Sequence, residues 1–197
     1  MTRSLAPRAI VRTADVLPQP WKNGGGTARH LLAWPSADDW RVLVSLAEIE
    51  SDGPFSTYPR VQRWFAVVAG AGVELSIGGA LHRLPLGANP VLFDGGDHTT
   101  CRRLGGANGT ALNLMLRGFP GAIRPLKAGM NWGPRLPAGG LYTLQAGRCR
   151  FMDQEVDVPE HALLWFDLAP PILSFSVDAW AIEVGKTTTT PTGAEEE

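Results

Sequence analysis

Excess charge of either sign, cysteine and long apolar runs are all scarce in this chain, and each shortage closes off a class of function. Lys and Arg number 18 against 19 Asp and Glu, a formal net charge of −1 over 197 residues. No basic run breaks that balance, so nucleic acid finds no electrostatic footprint here. The two cysteines, Cys101 and Cys149, are too few for a disulfide framework. They read as reduced structural thiols of a cytoplasmic protein. The longest apolar stretches, such as 64–77, are broken by Gly or Glu and fall short of a bilayer span. The first seventeen residues hold no continuous apolar segment of the kind a secretory signal needs. Neither a membrane nor export is therefore expected. The four histidines, His30, His82, His98 and His161, are scattered, without an H-x-H, H-x₃-H or C-x₂-C pair. No metal site and no cofactor is expected from them.

What the chain does have is glycine and proline, 23 and 16 residues, which break helix interiors and favour short strands and tight turns. The dominant local pattern is period two. In 40–50, Val42, Val44, Leu46, Glu48 and Glu50 share one face, while Arg41, Leu43, Ser45, Ala47 and Ile49 share the other. Segments 63–70, 72–79, 89–96 and 111–118 are further strands between Gly-rich turns, with a hairpin at Gly78-Gly79. The stretch 119–140 is Pro/Gly-rich and irregular, after which strands resume. No helix of three turns is expected anywhere; the nearest, around 10–17, lacks an amphipathic face. The expectation is all-β, in two sequential antiparallel units, 1–118 and 119–185, followed by a disordered polar tail at 186–197.

The run Trp21-Lys22-Asn23-Gly24-Gly25-Gly26 invites a phosphate-cradle reading, and the context refuses it. A P-loop needs its lysine after the glycines and a helix whose N-terminus meets the anion. Here the lysine precedes them, and the residues that follow run into Pro35. A turn or bulge that exposes Trp21 and Asn23 to a pocket remains. A small double-stranded β-barrel of the metal-binding kind carries a motif of two histidines and a glutamate ahead of a glycine. Residues 51–70 fit that frame with Ser56 and Tyr58 at the histidine positions and Arg63 at the glutamate position, with six residues between it and Gly70. None of the three suits a divalent ion. A guanidinium suits a carboxylate, which it can hold through two parallel hydrogen bonds.

The same residues carry a family resemblance. W-K-N-G-G-G at 21–26, Trp40-Arg41, S-x-A-x-I-x-x-D-G-P-F-S at 45–56, Tyr58-Pro59, Arg63 and N-x-M-x-R at 113–117 resemble the HutD/Ves family over residues 18–118. The resemblance implies a bicupin, two cupin barrels in one chain. It also implies a regulatory part in histidine utilisation, with formylglutamate as the ligand, or a Ves-like stress role, and a homodimer through edge strands. It supplies no catalytic activity. Two departures stand out: Ala28-Arg29-His30 replaces an expected T-R-E, and Ala111 replaces an acidic residue two before Asn113. The loss of two carboxylates makes the pocket more cationic.

The ligand-binding residues expected are Arg63, Tyr58, Ser56, Asn23, Trp21 and Asn113, with no catalytic residue and a small anionic metabolite as partner. Asn23 is expected near Arg63; its alternative is bracing the glycine turn. Trp21 and Trp40 have an alternative as core anchors, Asp52 as a turn cap. Glu48 is a carboxylate without an identified partner. Binding without catalysis ranks ahead of a metal-independent enzyme acting on a small acyl-amino acid. A structural module ranks third, and Arg63 paired to Glu48 or Asp52 in a closed barrel is its signature.

Overall fold

The computed structural model describes residues 7–21, 23–168 and 172–186. Lys22 of the glycine run and the tail at 187–197, expected to be disordered, lie outside the described residues. Four antiparallel sheets account for nineteen strands among those described. Sheet I runs, in spatial order, β2 (Gln19–Pro20), β3 (Gly26–Trp34), β4 (Val42–Ile49), β11 (Gly109–Leu116), β6 (Gln62–Ala69) and β9 (Val91–Asp94). Sheet II is β5 (Gly53–Pro54), β10 (Thr99–Arg103), β7 (Gly72–Ile77) and β8 (Ala80–Pro85). Together they make the first barrel. Sheet III is β1 (Ala9–Arg12), β17 (Ala162–Phe166), β14 (Ala138–Thr143), β19 (Ala179–Val184) and β12 (Gly121–Leu126). Sheet IV is β13 (Asn131–Trp132), β18 (Leu173–Phe175), β15 (Gly147–Phe151) and β16 (Gln154–Val158). The all-β bicupin expected from the sequence is the fold observed. The only helical segments among the described residues are two 3₁₀ turns, Thr13–Asp15 and Leu104–Gly106. Among the described residues no helix is long and apolar enough to cross a membrane.

The two-faced strands explain how the barrels join. On sheet I, Val42, Val44, Leu46, Ala66, Leu112, Leu114 and Leu116 point one way. They form a single buried core with Ile123, Tyr142, Leu163, Trp165, Trp180, Ile182 and Val184 of sheet III. The opposite face, with Leu43, Ser45, Ala47, Arg63, Phe65, Ala111, Asn113 and Met115, looks into the first barrel. The second barrel packs sheet III on sheet IV through Leu141, Leu164, Phe166, Cys149, Phe151 and Phe175.

Two expectations differ from the structure. Residues 9–12, assigned to the first unit, pair with Ala162–Phe166 in the second barrel's sheet. A single strand can close another unit's edge, and its four residues carry no signal of which edge. The irregular stretch after Gly118 contains strand β12, which holds Pro125. That proline is tolerated because β12 is the outermost strand of sheet III and needs only β19 as partner. The residues after the glycine run form the nine-residue strand β3, which Gly26 begins by pairing with Ile49.

Because Leu114 is fully buried in the core shared by the barrels, Leu114→Ala should cost about 2–5 kcal/mol of stability. Urea unfolding should show the loss as one shifted transition rather than the detachment of one barrel.

Candidate functional site

The first barrel holds a cavity of about 340 Å³ between sheet I, with β2 and the adjoining Trp21 at its edge, and the loop Phe55–Tyr58. Its floor is set by register. His30 of β3 lies opposite Ser45 of β4, Ser45 opposite Asn113 of β11, and Asn113 opposite Phe65 of β6. His30, Ser45 and Asn113 thus form a polar row across three neighbouring strands, all facing inward. A β-bulge on β3 between His30 and Leu32 sets two residues against one on β4. It lets His30 face the cavity while both Leu31 and Leu32 reach the core between the barrels.

At the end of the row sits Arg63, 7% exposed. Its Nε and Nη2 both donate to Asn113 Oδ1, at 3.1 and 3.0 Å. Its guanidinium carbon lies 4.6 Å from the Phe55 ring centroid and 5.5 Å from that of Phe93. Among the described residues no carboxylate pairs with it. Burial brings its pKa down to about 10, opposed by Tyr58 and Cys101, so the group stays charged at neutral pH. A buried cation supported by one amide oxygen and two aromatic faces is a costly arrangement unless an anion completes it.

The two carboxylates that could have neutralised it are engaged elsewhere. Glu48 accepts from Thr27 Oγ1 at 2.8 Å and lies 3.5 Å from Arg29 Nε on the far face of sheet I. Asp52 accepts from the Arg103 backbone and side chain at 2.9 and 3.1 Å, rather than only capping its own turn. The closed-barrel ion pair that marks a purely structural module is therefore absent among the described residues.

Five of the residues singled out from the sequence, Arg63, Tyr58, Ser56, Trp21 and Asn113, line this cavity. Trp21 is braced edge-on against Phe55, ring centroids 6.0 Å apart. Asn23 is the exception: it does not line the cavity. Its Oδ1 accepts from the Gly25 amide at 3.0 Å and its Nδ2 donates to the Pro54 carbonyl at 2.8 Å. An amide next to a glycine run finds backbone partners before it finds a ligand. The glycines have their own reasons: Gly24 sits at φ +71°, and a Cβ on Gly26 would collide with the Glu48 carbonyl oxygen. Trp40 is buried, as its core alternative had it, with Arg117 stacked 3.9 Å from its ring centroid.

The sequence missed His30 and Ser45 as cavity residues. His30 is half-buried, and burial lowers its pKa below the ordinary value, so it is neutral at pH 7. The displaced T-R-E was the signal available for it, and alternation along 40–50 placed Ser45 on the face now seen to be the floor. Metal-binding cupin barrels suggest a divalent ion in such a cavity. The lining does not fit one: it offers a single histidine, no Asp or Glu, and a buried guanidinium that repels cations. Among the described residues no group of three or more His, Cys, Asp or Glu stands together. Both cysteines are buried, and burial pushes their thiols up to about 12, far from nucleophilic.

The HutD family model matches residues 13–125, which contain β3, β4, β6 and β11 and the whole polar row. The chain belongs to the HutD family. An uncharacterised 21.2 kDa protein of the hutC 3′ region in Pseudomonas putida is 34% identical over 100 residues, 50% of this chain and 53% of that protein. The match to that relative thus spans about half its length. Protein Ves of Cronobacter sakazakii is 26% identical over 145 residues, covering 74% of this chain and 80% of its own. The structure of HutD from Pseudomonas fluorescens SBW25 superposes with a TM-score of 0.77 at 20% identity, over 90% of this chain and 97% of that one. The HutD name ties this family to the histidine-utilisation locus.

If Arg63 serves a ligand and not the fold, removing it with its amide partner should not weaken the apo protein. Arg63→Met/Asn113→Leu should be at least as stable as the parent in urea unfolding, because it deletes an uncompensated buried charge. A loss of 3 kcal/mol or more, about the cost of breaking a buried ion pair, would make the arginine structural.

Proposed function

We propose that this HutD-family chain is a cytoplasmic binding protein that holds a small carboxylated metabolite in its first barrel and modulates histidine utilisation through that occupancy. One observation carries the reading: Arg63 is buried in the cavity wall, charged, and without a carboxylate partner among the described residues. A ligand carboxylate supplies the missing charge through two N–H donors of a planar fork. Ser56 and Tyr58 at the rim offer hydroxyls to the rest of the ligand, and Trp21 covers it. Formylglutamate, a carboxylate derived from histidine breakdown, is the ligand that the family resemblance implies. Formate, the condition under which the P. fluorescens HutD structure was obtained, is the smallest probe of the same chemistry.

A second reading rests on His30. A neutral imidazole facing the same cavity is a group that can take a proton from a bound acyl-amino acid. Proton NMR of the protein incubated with formylglutamate distinguishes the two: turnover supports catalysis, and an unchanged spectrum at full occupancy supports binding alone.

Isothermal titration with formate, formylglutamate, urocanate, histidine and glutamate should give saturable heat with at least one. Arg63→Ala should weaken that ligand about 30-fold or more, the cost of truncating one partner of a buried charge pair. Arg63→Lys should recover only part, since a point charge lacks the fork. No heat with any of the five, in a folded protein, contradicts the proposal.

A further inference from the structure

The core shared by the two barrels is closed along most of its length and opens at one end. There Trp34 and Val42, opposite each other on β3 and β4, meet Ala138 and Val184, opposite each other on β14 and β19. Ala138 brings only a methyl group to this end, and a cavity of about 360 Å³ lies between the two sheets. Trp34 stands at it 41% exposed. The cavity shares no lining residue with the one around Arg63. Sheet I separates them, because Val42 and Leu43 point to opposite faces.

Three aromatic side chains from three segments form its walls: Trp34, Phe119 from the link between β11 and β12, and Trp165 of β17. Trp34 and Phe119 meet edge to face, with ring centroids 5.6 Å apart and planes at 88°. Phe119 is fixed there because the neighbouring Pro120 carbonyl accepts from the Gly185 amide at 2.8 Å. Only a glycine permits that approach, since a Cβ on Gly185 would lie 2.6 Å from the Pro120 ring. Trp165 is held through its Nε1, which donates to Asp167 Oδ1 at 3.3 Å. Fixed aromatic walls at right angles accept a flat ring, stacked on one and edge-on to the other.

Charge at the cavity decides the kind of ring. Asp167 is engaged by Trp165 and by Arg8 Nη1 at 3.2 Å. Lys186 also lines the cavity; it is exposed and makes no ion pair among the described residues. With Arg8 set against Asp167, Lys186 leaves the rim with one positive charge to spare. That charge opposes a cationic ligand, which aromatic faces would otherwise attract, and suits an anionic one.

We propose that this seam cavity is a second ligand site, for a planar aromatic carboxylate of one or two fused rings. The ring lies among Trp34, Phe119 and Trp165, and the carboxylate meets Lys186. Ring burial supplies most of the affinity, because an ion pair to an exposed lysine adds little. The site is independent of Arg63 and of whatever the first barrel binds. Its occupant touches both of the sheets that join the barrels, so binding stabilises the whole chain against unfolding.

The test is calorimetry with indole-3-carboxylate on the parent and on Arg63→Ala, which lacks the first cavity's cation. Indole-3-carboxamide is the neutral isostere, tryptamine the aromatic cation and acetate the anion without a ring. Indole-3-carboxylate should bind Arg63→Ala saturably and raise its melting temperature. The carboxamide should bind about two- to fivefold more weakly, the worth of an exposed ion pair. Tryptamine should bind more weakly still, and acetate should give no heat. Trp34→Ala should weaken indole-3-carboxylate at least tenfold, and Lys186→Ala should bring it down to the affinity of the carboxamide. Ala138→Leu, which fills the cavity, should abolish binding. Circular dichroism checks that each variant is folded; should Arg63→Ala fail that check, the Trp34→Ala and Lys186→Ala comparisons in the parent decide. Binding lost in folded Arg63→Ala, or unchanged by both Trp34→Ala and Ala138→Leu, overturns the seam site and leaves the first cavity's reading as it was. Tryptamine binding tighter than indole-3-carboxylate overturns the assignment to a carboxylate.

Discussion

Arg63 sits inside a β-barrel with one amide oxygen and two phenyl faces for company, and much of the first unit is arranged around keeping it there. Asn113, opposite Phe65, is held diagonally across from Arg63 by β11 pairing in register with β6. Phe55 reaches it from the loop that Asn23 ties to the glycine turn through the Pro54 carbonyl. Each of these residues limits the water that could solvate the cation, and none neutralises it. Folding therefore leaves a polar group whose best partner is absent from the described chain, the usual mark of a binding site that sacrifices some apo stability for recognition.

The two barrels divide the work. Sheet III gives the outward face of sheet I a full apolar partner through Leu112, Leu114 and Leu116 on one side and Trp180 and Ile182 on the other. Sheet I is thereby buried on both faces and rigid, so the inward row from His30 to Asn113 is fixed by backbone register rather than by flexible loops. Precise placement of a few polar groups on packed strands is what recognition of a small acid needs. The rim, by contrast, is built from the loops that carry Trp21, Ser56 and Tyr58, where access is required.

Much of this was legible in the chain, for physical reasons that also mark where legibility stopped. Alternation along 40–50 separates the Val42-Val44-Leu46 face from the Leu43-Ser45-Ala47 face, and burial confirms both. The frame of Ser56, Tyr58 and Arg63 ahead of Gly70 does place three side chains in one cavity, Ser56 and Tyr58 from the loop ahead of β6 and Arg63 from β6 itself. What a single segment cannot encode is which residue of another strand stands opposite. Ser45 beside His30, and Asn113 beside Ser45, are facts of cross-strand register, and His30 keeps its aim only through a bulge at Leu31 that no local pattern announces. Asn23 was placed at the ligand because it neighbours Trp21 in sequence. In the fold its amide is consumed by Gly25 and Pro54. Strand β1 reads as part of the first unit because it comes first, yet it completes the second barrel's sheet.

The central claim, that the Arg63 guanidinium awaits a carboxylate, is tested most directly by its own Nε–H resonance in ¹⁵N NMR. That proton is buried and bonded to Asn113, so it should exchange slowly enough to be seen at neutral pH. Titration with formate should move it saturably, while equal concentrations of neutral formamide leave it in place. A resonance indifferent to formate, or one displaced equally by formamide, would contradict the account.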